Sequence, residues 1–307
     1  MTLDLRSAAT DYLVDRRARG WRLADHDYLI TGFLDGLEAR GLTKITITDA
    51  LAFAQEPAET TLCWQARRLT VIRHLAAHIH TLDPAAADLI PPHLITGKVT
   101  RRIPYLYSNE QVAQLMSMTS ILRPPLMAAS MHTLIGLLAA TGLRSGEAVA
   151  LDVDDLDIDE GVLAVTGKYG KQRTIPLHRT TVEALSAYLG GRATKSGPIG
   201  PLLIGCKGGR LNANLARQAF RVLVDTCQLS ARPGGSVPRL HDFRHTFAVD
   251  SLIDALRQGT DVDARIAVLV SYLGHVEPAN TYWYLTASPE LMAMVSERMA
   301  AYQGRWS

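Results

Sequence analysis

The sequence predicts a mainly α chain with one small antiparallel β-sheet, arranged as an α-helical amino-terminal domain followed by an α+β domain. Three observations carry that prediction. Apolar residues recur at helical spacing along most of the chain. One cluster of short β-branched runs lies between Leu156 and Leu177. A stretch rich in proline and without periodicity (Pro84, Pro91, Pro92, Pro104) separates two halves. The length of 307 residues suits two domains at about 150 residues each. The expected division is a helical domain over 1–90, a linker over 91–107 and a second domain over 108–307.

Residues 4 to 82 read as four helices. The first ends near Arg19, before Gly20. The second spans Asp25 to Arg40, with Ile30, Phe33, Leu34 and Leu37 on one face and Gly41 as its stop. Thr48 is expected to cap a short third helix that ends before Pro57. The fourth runs from about Glu59 to Leu82 on an apolar stripe of Leu69, Ile72, Ala76 and Ile79. Its other face carries Arg67, His74 and His78, with Arg73 nearby, which reads first as a solvated face.

Ser108 opens the second domain, with Gln111 three residues on as in a capping box. Leu126 to Ala140 is apolar nearly all round and is expected at the centre, closed by Gly142. Leu156–Ile158, Val162–Val165 and Thr174–Leu177 read as strands, with Gly167 to Arg173 as the turn between the last two. Further helices start at Thr181, Asn214 and His241. Ser288-Pro289-Glu290 starts a last one, with Leu291, Val295, Met299 and Tyr302 on one face for burial in its own domain or on a neighbour.

Composition excludes several classes. A 47% hydrophobic and 20% charged chain can build a sizeable soluble core. The net charge of +2 means that any basic surface is local. Only 6 of the 32 basic residues are lysine, leaving 26 arginines, a balance that suits phosphate contacts. Cys63, Cys206 and Cys227 are too scattered for a disulfide framework or a zinc pattern, and a reducing cytoplasm is the expected setting. The first residues do not read as a signal peptide. The run from Leu126 to Leu143 is broken by Ser130, His132 and Thr133, so it reads as a core helix rather than a membrane span.

Several motifs fail on inspection. Asp155-x-Asp157-x-Asp159 lacks the glycine and the final glutamate of a calcium loop. His74/His78 and His241/His245 have helical spacing for a metal but no third ligand at site spacing. No phosphate-binding loop, dinucleotide fingerprint or Gly-x-Ser-x-Gly elbow is present.

What remains is Arg144, Lys168, His241, Arg244, His275 and Tyr284, with Glu147 beside them. Singly each has an ordinary reading: an ion pair for Arg144, a hairpin lysine for Lys168, a solvated helix face for His241 and Arg244, a turn for His275, a core aromatic for Tyr284. Jointly they suit an anionic phosphate. Arginine binds phosphate oxygens in a fork, histidine moves a proton near neutral pH, and a deprotonated tyrosine is a nucleophile.

The arrangement resembles the tyrosine recombinase (phage integrase) family. The resemblance lies in Ala140-Thr-Gly-Leu-Arg144-Ser-Gly-Glu147, Thr166-Gly-Lys168, His241-x-x-Arg244, Leu273-Gly-His275 and Tyr284. Tyr282-Trp-Tyr-Leu before Thr-Ala-Ser-Pro-Glu resembles integrases of transposons and other mobile elements. The gap of 34 residues from His241 to His275 is longer than in compact members, and Leu256 to Arg265 reads as an insertion. Tyr282 is a rival for Tyr284, and Lys171 for Lys168.

The resemblance implies a helical core-binding (SAM-like) DNA-binding domain, a catalytic domain of the tyrosine-recombinase type, and cleavage and rejoining of DNA through a 3′-phosphotyrosine. It makes Arg144, Lys168, His241, Arg244, His275 and Tyr284 the catalytic residues and Glu147 their support. Arg67, Arg73, Lys171 and Arg173 are expected against DNA. The implied partner is double-stranded DNA with specific sites, bound by a homo-tetramer or a mixed tetramer with related recombinases, in the cytoplasm on the nucleoid. No metal, no cofactor and no membrane are implied. Two alternatives stay open: a type IB topoisomerase-like relaxing enzyme, and an accessory DNA-binding recombinase that does not cut.

Overall fold

The computed structural model describes residues 3–21, 23, 25–56, 59–96, 103–167, 170–197, 199–231, 235–274, 291–294 and 296. The chain divides into two compact units, residues 1–101 and 102–307. Among the described residues no helix is long and apolar enough to cross a membrane.

Among the described residues the first unit contains four helices: α1 (Leu5–Ala18), α2 (His26–Glu38), α3 (Ile47–Gln55) and α4 (Leu62–Leu82). The expected stripe of α4 is its buried face, and it packs with Leu29, Phe33, Leu34 and Leu37 of α2. The cap of α3 is Thr46 rather than Thr48, because Thr46 is extended and its hydroxyl accepts from the Asp49 amide at 3.1 Å. Part of the proline-rich stretch is not a free connection. Ala86, Ala87 and Ile90 are buried in this core, and Ala87 forms a parallel bridge with Ile45.

The second unit contains α5 (Asn109–Met118), α6 (Pro125–Thr141), α7 (Ser145–Ala150), β1 (Leu156–Asp157), β2 (Val162–Thr166), β3 (Gln172–Pro176), α8 (Arg179–Ser196), α9 (Ala213–Thr226), α10 (Asp242–Arg257) and α11 (Val262–Leu273). The capping box at Ser108 and Gln111 forms as expected. Helix α6 is central: Met131, Leu134, Ile135 and Leu138 are fully buried, and it packs on α5, α8 and α10. Its buried hydroxyls are satisfied: Ser130 donates to the Ile204 carbonyl at 2.7 Å and Thr141 to the Leu137 carbonyl at 2.5 Å. Gly142 ends the helix at φ +61, a conformation that favours glycine.

The sheet runs β1-β2-β3, all antiparallel, with Leu163 opposite Ile175 and Val165 opposite Arg173. Strand β3 starts two residues before the expected Thr174. Alternation therefore puts Arg173 on the same face as Leu163, Val165 and Ile175, the buried one.

The segment 256–265, read above as an insertion, is the end of α10, a short turn and the start of α11. Helix α11 has an Asp261 cap and a Gly274 stop, both legible signals. It packs on α10 through Ile266, Leu269 and Leu273. Of the last expected helix, 291–294 are helical and Leu291 is buried in this same core. Ser288, Pro289, Glu290, Val295, Met299 and Tyr302 lie outside the described residues.

Candidate active site

The site is built around the carboxyl end of α11. Its last carbonyls have no partner within the helix and carry the negative end of the helix dipole. Three arginines from three places converge on them. Arg173 of β3 donates through Nε to the Tyr272 carbonyl at 2.9 Å. Arg244 of α10 donates through Nη2 to the Leu273 carbonyl at 2.5 Å. Arg144, at the start of α7, donates through Nη2 to the Gly274 carbonyl at 3.3 Å. Three successive carbonyls thus take three different guanidiniums. Gly274 itself is left-handed at φ +64, and a Cβ there would sit 3.4 Å from the Arg173 Nη1.

Each arginine is placed by its local fold. Arg144 follows the Gly142 turn and Leu143, which is fully buried, so the turn is pinned from below. Its side chain keeps 32% exposure, the most open of the three. Arg244 is on the first turn of α10 and only 1% exposed. Its Nη1 donates to the Gly142 carbonyl at 3.0 Å, tying α10 to the turn that presents Arg144. The neighbouring Phe243 stacks on Tyr107 at 4.3 Å, and the Tyr107 hydroxyl donates to the Arg239 carbonyl at 3.0 Å. Asp242 is fully buried; burial pushes its carboxyl up, against the Arg239 guanidinium bound at 2.9 Å.

Glu147 sits between two of the arginines with its side chain 8% exposed. It accepts from the Arg144 amide at 3.1 Å and from Arg144 Nη1 at 2.7 Å. Arg173 approaches the same carboxylate with both Nη atoms, at 3.2 and 2.7 Å. Burial works to raise this carboxyl, but the hydrogen bonds from Arg173 and Arg144 outweigh it and hold it below the usual range.

His241 ends the turn before α10, with part of its surface open to solvent. Packing around the ring, then the positive charges of Arg244, Arg239 and Arg144, push its imidazole down to about 4. At neutral pH it is therefore uncharged and able to accept a proton or a hydrogen bond. The His241 and His245 rings meet edge to face at 5.1 Å. Among the described residues no group of three histidines, cysteines or carboxylates could hold a metal.

Of the expected site residues, the structure brings together Arg144, Glu147, His241 and Arg244. Lys168, His275 and Tyr284, with its rival Tyr282, lie outside the described residues. Gly167 and Gly274, the neighbours of Lys168 and His275, both lie within about 3.5 Å of the Arg173 Nη1, measured from where a Cβ would be. Lys171 is exposed. Arg173, expected against DNA, instead turns its guanidinium into the protein and keeps 15% exposure. In the first unit Arg67 is exposed and paired with Asp25 at 3.1 Å, and Arg73 is half-buried with an Nη 3.5 Å from His74. Sequence reasoning missed the part played by Arg173. The signal was the Arg173-x-Ile175 alternation, which places both on one face.

Residues 106–290 match the phage integrase family. A Sinorhizobium fredii protein named as an integrase/recombinase, y4rB, is 35% identical over 312 residues, spanning 98% of each chain. The tyrosine recombinase XerC of Mycobacterium tuberculosis is 30% identical over 297 residues, 94% of this chain and 90% of its own. Among solved structures, the Tn1549 transposon integrase in complex with transposon right end DNA aligns over 95% of this chain and 99% of its own at TM-score 0.61 and 17% identity. XerA recombinase aligns over 97% and 98% at TM-score 0.51 and 21% identity. These structural likenesses concern the fold, and the sequence matches carry the lineage: the chain belongs to the phage integrase family, that of the tyrosine recombinases.

Proposed function

We propose that the chain is a site-specific DNA recombinase of the integrase type, cutting and rejoining DNA strands through a covalent 3′-phosphotyrosine. The observation that carries this reading is the convergence of Arg144 and Arg244 on the Leu273 and Gly274 carbonyls, directly before His275. Two guanidiniums fixed by backbone carbonyls are oriented before any ligand arrives. Donors held in place in this way stabilise charge that develops on the non-bridging oxygens of a phosphate under attack.

In the proposed reaction the Tyr284 Oη attacks phosphorus and the bond to the 5′-oxygen breaks. His241, neutral in the free protein, accepts a hydrogen bond from the attacking phenol and helps to remove its proton. Lys168 supplies a proton to the departing 5′-oxygen. Arg144, Arg244 and His275 hold the non-bridging oxygens, and Glu147 holds Arg144. The bond energy stays in the phosphotyrosine, and the reverse attack by a 5′-hydroxyl rejoins the strand. The helical first unit is the proposed core-binding domain. Exchange between two duplexes takes four cuts, so the proposed working form is a tetramer on paired DNA sites.

The test uses a suicide substrate and a denaturing gel. Wild type is expected to form a covalent protein–DNA adduct in the presence of a metal chelator. Tyr284→Phe is expected to form none, and Tyr282→Phe to form it still. An adduct surviving Tyr284→Phe rules out that nucleophile. Light scattering of the protein on paired sites reads the tetramer.

A further inference from the structure

We infer that Arg173 is a positioning residue for this reaction: it clamps Glu147 and the end of α11 together, and through Glu147 it sets where Arg144 points. The inference rests on the recombinase reading above.

Arg173 joins Glu147 to the end of α11 from the strand side, as Arg144 does from the α7 side, and it is the one of the two that meets both carboxylate oxygens through its side chain. Its two Nη atoms meet the two carboxylate oxygens of Glu147, while Nε meets the Tyr272 carbonyl. A planar guanidinium can satisfy a carboxylate and a carbonyl at once, and a lysine ammonium cannot reproduce that geometry. The strand register is what aims it. Arg173 stands opposite Val165 on the buried face of the hairpin, so its guanidinium is directed into the domain rather than toward solvent.

Three consequences come from that placement. First, Glu147 is divided between two arginines. With Arg173 removed, the carboxylate loses the fork that fixes it, and Arg144 loses its fixed partner. Second, the hairpin that carries Lys168 and the helix end that precedes His275 share one tie, so the two are held in register through Arg173. Third, a buried carboxyl that loses one of its two cationic partners moves up in pKa, since burial is the opposing influence. The charged and titratable groups that face Glu147 among the described residues are Arg144, Arg173 and, at longer range, His241.

The experiment measures single-turnover adduct formation against pH, and DNA affinity against salt, for wild type, Arg173→Gln and Arg173→Lys. Both variants are expected to bind DNA as wild type does, with an unchanged salt slope, and to form adduct about 10²-fold more slowly, the loss that a misplacement near 1 Å causes. The Arg173→Gln rate is expected to fall on the acid side at a pH where the wild-type rate is flat, because Glu147, left with one cationic partner, then protonates and releases Arg144, whereas Arg173→Lys keeps the charge and the wild-type acid limb. A salt slope lower by about one, with weaker binding, would make Arg173 a phosphate contact and overturn the inference. A loss of equal size at every pH in Arg173→Gln would mean general structural support, and overturns it too. Circular dichroism checks folding, and if Arg173→Gln does not fold, Arg173→Lys tests the fork alone: slower adduct formation with unchanged DNA binding supports the inference, and a wild-type rate overturns it. Absence of any adduct from wild type would reject the recombinase reading itself, whereas normal wild-type cleavage with an unshifted acid limb in Arg173→Gln rejects only the role of Arg173.

Discussion

The Arg244 guanidinium donates to the Leu273 carbonyl from a position 29 residues away in sequence, and it does so buried. With its second bond to the Gly142 carbonyl it fastens α10 to both the turn before α7 and the end of α11. A residue proposed to hold the reacting phosphate is thus also a structural rivet of the second domain.

Arg244→Ala therefore loses stability as well as cleavage. Two buried carbonyls lose a donor, which costs about 2 to 4 kcal/mol on the scale of unsatisfied buried groups. Adduct formation is expected to drop by about 10² to 10³, as for loss of one fixed donor to a transition-state oxygen. Urea denaturation of the free protein and the suicide-substrate assay read the two effects separately. Unchanged urea stability would refute the structural half.

Gly142→Ala is expected to be one of the most damaging small substitutions. The residue has φ +61, and an added Cβ would lie 2.6 Å from Cδ1 of Phe247. The left-handed conformation and the overlap together cost about 2 to 5 kcal/mol. Thermal unfolding compares it with Gly146→Ala, where a Cβ meets nothing within 4 Å. Equal losses at the two positions would contradict the steric account.

His241 gives a pH prediction with a definite sign. Its imidazole titrates at about 4 in the folded protein against 6.5 for the ordinary group. Between those values the unfolded chain holds more protons, so stability falls as pH drops from about 6.5 toward 4. A histidine resonance titrating near 4 by NMR, absent in His241→Gln, is the expected signature. Titration at 6.5 or above would show that neither burial of the ring nor the arginine charges depress it. Bound DNA phosphate, being anionic, is expected to move the same resonance upward.

Much of this was legible in the residues. The apolar stripe of α4, the Ser108 capping box and the Gly142 stop are local patterns, and they formed where periodicity and capping chemistry put them. Arg144, His241 and Arg244 stood out because Arg144-Ser-Gly-Glu147 and His241-x-x-Arg244 resemble family motifs, and the structure brings the three together. Helix α11 was overlooked although Asp261 and Gly274 mark both ends. An expectation of extra sequence in that region obscured it. The direction of Arg173 depended on where β3 begins. A strand start misplaced by two residues hid that it lies within the ladder, on the same face as Ile175. The sharing of Glu147 between two arginines is a long-range contact between α7 and β3, and no local pattern encodes it.

Helix ends ordinarily fray one residue at a time. The end of α11 cannot do so freely, since its final three carbonyls are held by groups from a strand, a helix and a turn. Sliding α11 along its axis would break all three attachments in the same step. Hydrogen exchange of the amides over residues 270–274 would then report one concerted opening rather than a gradient of protection.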